Sequence, residues 1–163
     1  MKTIFLIRGI SGCGKTTLSD TLHRGLQCEA GHWSEPDGSS VQHVAADDYF
    51  VDEDGVYKFD PSSLPDAHAW CKDQAEKAME ADIDVIVHNT FTQRWEMEPY
   101  LQLAGRFGYR ISVVSLFDGG CTDEELVERN SHGVPLEGIS RMRERYEHDW
   151  KSGDTRPPWE RGG

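Results

Sequence analysis

The stretch Gly9-Ile10-Ser11-Gly12-Cys13-Gly14-Lys15-Thr16 has the residue types and spacing of a phosphate-binding loop, G-x-x-x-x-G-K-[ST]. Gly9, Gly12 and Gly14 allow a tight turn that brings backbone N–H groups, those of Ser11 and Cys13 included, close to phosphate oxygens. Lys15 is expected as a solvent-facing charge that reaches the β- and γ-phosphates, with the Thr16 hydroxyl taking one position on Mg²⁺. Thr17 follows in the first turn of a helix whose amino end adds positive potential at the same spot. An apolar run over residues 3–7 predicts a strand before the loop, and the pattern over 17–24 predicts a helix after it. Binding of a nucleoside triphosphate, ATP with Mg²⁺, is the expectation.

Phosphoryl transfer needs two further parts, an acid to receive the acceptor's proton and a cationic lid. Asp47 and Asp48 directly follow a second predicted strand at residues 41–45. Ligands of open α/β sheets bind outside the carboxyl ends of the strands, so the pair stands where chemistry is expected. One carboxylate can accept a hydroxyl proton while the other supports the metal or a neighbouring helix; capping is the competing structural use of the pair. Arginines concentrate late in the chain, at Arg129, Arg141, Arg143 and Arg145. They form either a local basic cleft or helix charges paired with Glu137, Glu144 and Glu147. Base-reading motifs of the N-K-x-D type are absent and the chain is short for a ring-forming motor, which leaves a kinase.

The elements that must hold these groups follow from periodicity. Strand one spans about residues 3–8 and helix one about 15–26, with Leu18, Leu22 and Leu26 on one face. Residues 29–40 read as a surface loop with Trp33 as its anchor, and 50–59 as a short hairpin around an Asp-Gly turn. A helix over 65–81 buries Ala67, Trp70, Cys71, Ala75 and Ala78. A third strand at 84–88 ends at Asn89, Thr90, Phe91 and Thr92. The next helix carries Trp95, Met97, Tyr100, Leu101 and Ala104, with Pro99 expected in its first turn and Gly105 and Gly108 at its end. Residues 111–117 give a fourth strand, and the capping box Thr122-Asp123-Glu124-Glu125 opens a helix to about Arg129. Pro135 starts a last helix with an inward stripe of Ile139, Met142, Tyr146 and Trp150. Residues 1–150 thus form one domain, and 151–163 read as a poorly ordered, flexible tail. Alternation of strand and helix predicts the α/β class: a three-layer P-loop kinase fold, a parallel sheet of about four to five strands with helices on both faces.

Composition narrows the partners. The 163 residues suffice for one sizeable core, and no apolar run approaches membrane-spanning length. A strand at the very start leaves no place for a signal peptide, and four cysteines without a C-x-x-C pair fit a reducing compartment, so the cytoplasm is expected. A net charge of −12 argues against gripping long duplex by bulk electrostatics, though not against a local basic cleft.

Over residues 3–149 the chain resembles the polynucleotide 5′-kinase branch of P-loop kinases, which includes a bacteriophage enzyme and animal P-loop domains. The resemblance rests on the phosphate loop, on Asp47-Asp48-Tyr49, on Asn89-Thr90, and on Glu125-Leu126-Val127-Glu128-Arg129-Asn130 with Val134-Pro135. It extends through Arg141-Met142-Arg143-Glu144-Arg145-Tyr146-Glu147-His148. It implies transfer of the γ-phosphate of ATP to a hydroxyl on nucleic acid, either a 5′-OH end or a hydroxymethylated DNA base such as 5-hydroxymethyluracil. By position it makes Asp47 the general base, gives Lys15 and Thr16 the phosphates and metal, and puts Arg129 in a lid over the donor phosphates. Asp48, Tyr49, Asn89, Thr90 and Arg143 are the further substrate-side residues it implies. Three departures stand out. Phe50 occupies the place of a substrate-binding arginine, His88-Asn89-Thr90 lacks the common Asp, and Ser131-His132-Gly133 lacks a second lid arginine, leaving Arg141 or Arg143 as substitutes. A flipped base needs aromatic walls, which Tyr49, Phe50, Phe91 and Trp95 are placed to supply. A free nucleoside, sugar or antibiotic as acceptor is the alternative. A non-catalytic nucleotide-binding adaptor is the third, against which the intact Lys15, Thr16 and Asp47 count.

Overall fold

A computed structural model describes residues 1–29 and 41–162; the expected loop around Trp33 lies outside the described residues. Four strands, β1 (Thr3–Gly9), β2 (Val41–Val44), β3 (Asp84–Asn89) and β4 (Arg110–Phe117), form one sheet in the order β2-β3-β1-β4. All pairings are parallel, and Ile7 lies beside His88 and Arg8 beside Asn89. The carboxyl ends of β1 and β3 therefore finish level, at the edge where the phosphate loop begins. Near-continuous apolar runs in β1 and β3 follow from burial on both faces, as parallel sheets require.

Helices α1 (Lys15–Glu29), α2 (Leu64–Glu80) and α3 (Arg94–Phe107) supply the covering layers. On one face, Ile4, Leu6, Val44, Val85 and Val87 pack with Ala67, Cys71 and Ala75 of α2 and with Met97, Tyr100 and Leu103 of α3. On the other, Ile7, Val41 and Ile86 meet Leu18, Leu22 and Leu26 of α1. A third cluster of Ile10, Cys13, Leu126, Ile139 and Tyr146 joins the phosphate loop to α4 (Asp123–Arg129) and α5 (Leu136–Arg145). The three-layer α/β architecture is as the alternating pattern predicts. Among the described residues no helix is long and apolar enough to cross a membrane.

Some local expectations change. Helix α3 begins at Arg94, which puts Pro99 in its second turn rather than its first, and only Gly108, at φ 71°, forms its carboxyl cap. The hairpin is reduced to one antiparallel bridge between Val51 and Tyr57. The stripe on α5 stops short of Trp150. Tyr146 turns extended at ψ 118°, and the Glu147 N–H donates to the Thr92 carbonyl at 2.8 Å. Trp150 then lies in a separate 3₁₀ turn, packed against the α2–α3 side of the sheet with the Arg94 guanidinium 5.4 Å from its ring. Residues 151–162, read from sequence as a loose tail, bring Asp154 to Arg156 and Arg161 and set Trp159 edge-on to Trp95 at 5.2 Å.

Arg8 has no counterpart in the sequence reading. It is fully buried in the central strand, and its guanidinium donates to the carbonyls of Phe91 (2.9 Å), Glu147 (2.8 Å) and Thr92 (3.1 Å). The Tyr146 ring covers it at 4.1 Å. Burial lowers its pKa, and three charge-assisted donations offset the desolvation. One side chain thus fixes the chain just before the phosphate loop to the segment after β3 and to the end of α5.

Candidate active site

The phosphate loop is pinned from both sides. Gly9 donates its N–H to the Thr90 carbonyl beyond β3 (3.1 Å), and Ile10 donates to the Phe117 carbonyl at the end of β4 (2.8 Å). Gly12 and Gly14 take φ of 87° and 102°, a region that side-chain-bearing residues adopt only under strain. At Gly12 a Cβ would stand 2.5 Å from the Leu126 carbonyl oxygen, so the last turn of α4 rests directly on the loop. Ser11 reaches Met142 of α5, with 3.7 Å between Oγ and Sδ. Thr16 and Thr17 are exposed in the first turn of α1.

Lys15 is half-buried rather than solvent-facing. Its ammonium arches over the loop and donates to the carbonyls of Gly9 (2.7 Å) and Ile10 (3.1 Å). Burial pushes its pKa down, against the charges of Cys13 and Asp47. Lys15 and Asp47 are therefore near enough for their charges to act on each other.

At the carboxyl end of β2, Ala46–Phe50 form a 3₁₀ turn. Asp48 Oδ2 accepts the Ala45 N–H (2.9 Å), and Asn89 Oδ1 accepts the Ala46 N–H (2.9 Å). The second acid of the pair thus builds the turn. The buried Asn89, expected on the substrate side, is scaffold, its amide also directed at Cys71. Thr90 contributes its carbonyl to the loop. Asp47 is left to face the site: the Tyr57 hydroxyl donates to Oδ1 (3.2 Å), and His132 Nε2 lies 3.5 Å from Oδ2. Burial, then the Asp47 charge, raises the pKa of the Tyr57 phenol.

Of the aromatic walls, Phe50 and Phe91 are core residues. Trp95 donates its indole N–H to Gln93 and faces Trp159. Tyr49 alone of the four is exposed, leaning on Phe50 and Trp70. Sequence reasoning missed Tyr57 and His132, whose relation to Asp47 is entirely tertiary.

The capping box of α4 forms as expected: Thr122 Oγ1 accepts the Glu125 N–H, and the Glu125 carboxylate accepts the Thr122 N–H. Arg129 is exposed at the end of this helix, its Nη1 2.8 Å from Cys121 Sγ. Arg143 is committed elsewhere. It binds Asp123 and Asp118 at 2.7 Å each, and the Cys121 carbonyl at 3.0 Å. Arg141 pairs with Glu137, and Arg145 donates to Thr92 Oγ1. Arg129, exposed and bonded only to the Cys121 sulfur among the described residues, keeps donors for a phosphate.

His88, in the place of the acid common in the resembling branch, is half-buried with its ring 4.7 Å from that of His43. Burial, reinforced by His43 and Lys15, pushes its pKa down to about 3. The folded protein therefore binds fewer protons than the unfolded chain between that value and the ordinary histidine range, so stability is full above pH ~6.5 and falls as pH drops toward ~3. Between pH ~6.5 and ~4.5, above most carboxylate titrations, the loss is expected at about 1–2 kcal/mol. His88→Gln should remove at least half of it, measured by urea unfolding at the two pH values. An unchanged slope in His88→Gln would assign the loss to other groups.

A family model described as "AAA domain" matches residues 4–148. NEDD4-binding protein 2 of Homo sapiens is 36% identical over 150 residues, covering 88% of this chain and 8% of that protein. A chain in a structure of the Pnkp1/Rnl/Hen1 RNA repair complex superposes with a TM-score of 0.67 at 15% identity, over 96% of this chain and 47% of that one. An APS kinase of Mycobacterium tuberculosis gives 0.53 at 15% identity, over 71% and 76%. At these identities the structural likeness establishes the fold, a P-loop kinase fold.

Proposed function

Because this chain belongs to the AAA domain family, we propose that it is a phosphotransferase, a P-loop kinase that moves the γ-phosphoryl group of ATP to a hydroxyl on nucleic acid. The observation that carries this reading is Asp47: a carboxylate at the carboxyl end of β2, near the Lys15 ammonium, oriented by hydroxyl and imidazole groups rather than sealed in a strong ion pair. Backbone N–H groups of the phosphate loop cradle the phosphates, although that of Cys13, expected among them, donates to the Ile10 carbonyl (3.1 Å), and Lys15 leaves two loop carbonyls to reach them. Asp47 then orients the acceptor hydroxyl in line and takes its proton as the new O–P bond forms and the bond from the γ-phosphorus to the bridging oxygen breaks, releasing ADP. The exposed Thr16 hydroxyl fits Mg²⁺, which takes few protein ligands and fills its shell with phosphate oxygens and water. A Mg²⁺ ion held there would neutralise charge on the transferring phosphates.

The resemblance to polynucleotide 5′-kinases supports a nucleic-acid acceptor, a 5′-OH end or a hydroxymethylated base such as 5-hydroxymethyluracil, and a cytoplasmic, bacteriophage-type DNA modification role. Tyr49, Tyr57 and Phe59 put ring surface on the Asp47 side of the sheet, which suits a base. The net charge of −12 favours a second reading, a free nucleoside or sugar. Labelled γ-phosphate transfer from ATP to a panel of a 5′-OH oligonucleotide, hydroxymethyl-containing DNA, thymidine and gluconate separates the two. Transfer to none of them overturns the kinase reading.

Arg129 is the lid cation in this scheme. Arg129→Ala is expected to lower kcat by on the order of a hundredfold or more, since one donor to the transferring phosphoryl group is lost. A change under about threefold makes it a surface charge and moves the lid elsewhere.

A further inference from the structure

We propose that His132 is a positioning residue for Asp47, aiming the carboxylate from the connection that follows the lid helix. The inference rests on the reading of Asp47 as the base and adds a residue to it. The connection between α4 and α5 is a built structure. The Asn130 side chain donates to the carbonyls of Leu126 (3.2 Å), Val127 (3.0 Å) and Val134 (3.2 Å), and accepts the Val134 N–H (2.9 Å). Gly133, at φ 70°, completes the tight return. His132 stands at the tip of the loop so closed.

From there the imidazole crosses to the strand-two side of the site. Its ring meets the Tyr57 ring at a centroid distance of 4.5 Å, and Nε2 lies 3.5 Å from Asp47 Oδ2. His132 Nδ1 is buried with no hydrogen-bond partner among the described residues, so the polar reach of the ring is spent on Asp47 through Nε2. Tyr57 holds the other carboxylate oxygen. The Tyr57 hydroxyl bonded to one oxygen and the His132 imidazole set against the other hold the carboxylate plane and leave it lone pairs for the acceptor hydroxyl. His132 and Arg129 thus lie on either side of Asn130, in one connection held by its side-chain hydrogen bonds.

The test uses the full chain, ATP, and whichever acceptor of the panel wild-type protein labels fastest. His132→Ala is expected to lower kcat about tenfold while KM for ATP changes less than about twofold, as for loss of orientation without loss of binding. His132→Gln keeps an N–H donor and should recover most of the rate. In an Asp47→Asn background, His132→Ala should cost nothing further, since no basic carboxylate remains to be aimed. A purely structural histidine would instead lower kcat equally in both backgrounds and lower Tm. Loss of transfer in Asp47→Asn with none in His132→Ala overturns this proposal alone. No transfer by wild type overturns the kinase reading and this one with it; full transfer by Asp47→Asn overturns the assignment of Asp47 as the base, and with it this proposal, while the protein remains a kinase.

Discussion

Asp47→Asn is expected to slow phosphoryl transfer by at least about a hundredfold while ATP affinity stays within about twofold, the signature of a lost positioned base. The substitution keeps the shape of the side chain. It also keeps an oxygen that can accept the Tyr57 hydroxyl, so the turn after β2 should survive. What goes is the oxygen basic enough to take a proton. Asp48→Asn provides the contrast: its Oδ2 accepts the Ala45 N–H, so its loss should appear in the thermal midpoint before the rate. Transfer rates, nucleotide titrations and melting curves on both variants decide the matter. A dead Asp48→Asn beside an active Asp47→Asn reverses the roles. Full activity in both means that the turn is only a cap.

Lys15→Ala is expected to have the largest effect on the nucleotide side, a loss in kcat/KM on the order of a thousandfold together with weakened ATP binding. Stability should hold or rise. The folded state keeps a cation whose pKa burial pushes down, a cost that its two loop-carbonyl partners do not fully offset. Calorimetric titration with ATP, with a melting curve as control, checks both halves. Undiminished binding by a folded Lys15→Ala protein removes the phosphate-loop assignment.

Much of this site could be read from the chain because its parts are local. In the phosphate loop each glycine answers a backbone demand, and Gly12 and Gly14 do hold positive φ. Strands β1 and β3 were legible because burial on both faces leaves unbroken apolar runs. What escaped was tertiary. The 3.6-residue stripe continues past Tyr146 to Trp150, yet the backbone leaves the helix because Thr92 and Arg8 take the Glu147 N–H and carbonyl. Asn89 looks like a substrate contact until the Ala46 N–H is found to need an acceptor. His132 looked like the absence of an arginine, and nothing in Ser131-His132-Gly133 points to Asp47 across the sheet. Arg143 reads as a lid cation, but the acids that occupy it, Asp118 and Asp123, lie on a different helix and turn.

The buried Arg8 has a consequence for how the protein is made. It belongs to the first of this domain's four strands to be translated, yet one of the carbonyls that satisfy its charge comes from Glu147, 139 residues later. Until that residue emerges, the nascent chain carries a guanidinium aimed at an interior where it is not yet fully matched. Within this domain the strand bearing the phosphate loop is thus translated well before the residue that completes its seal. A product cut short before α5 would be left with its central strand unsealed, marking it for quality-control proteases rather than for work as a truncated enzyme.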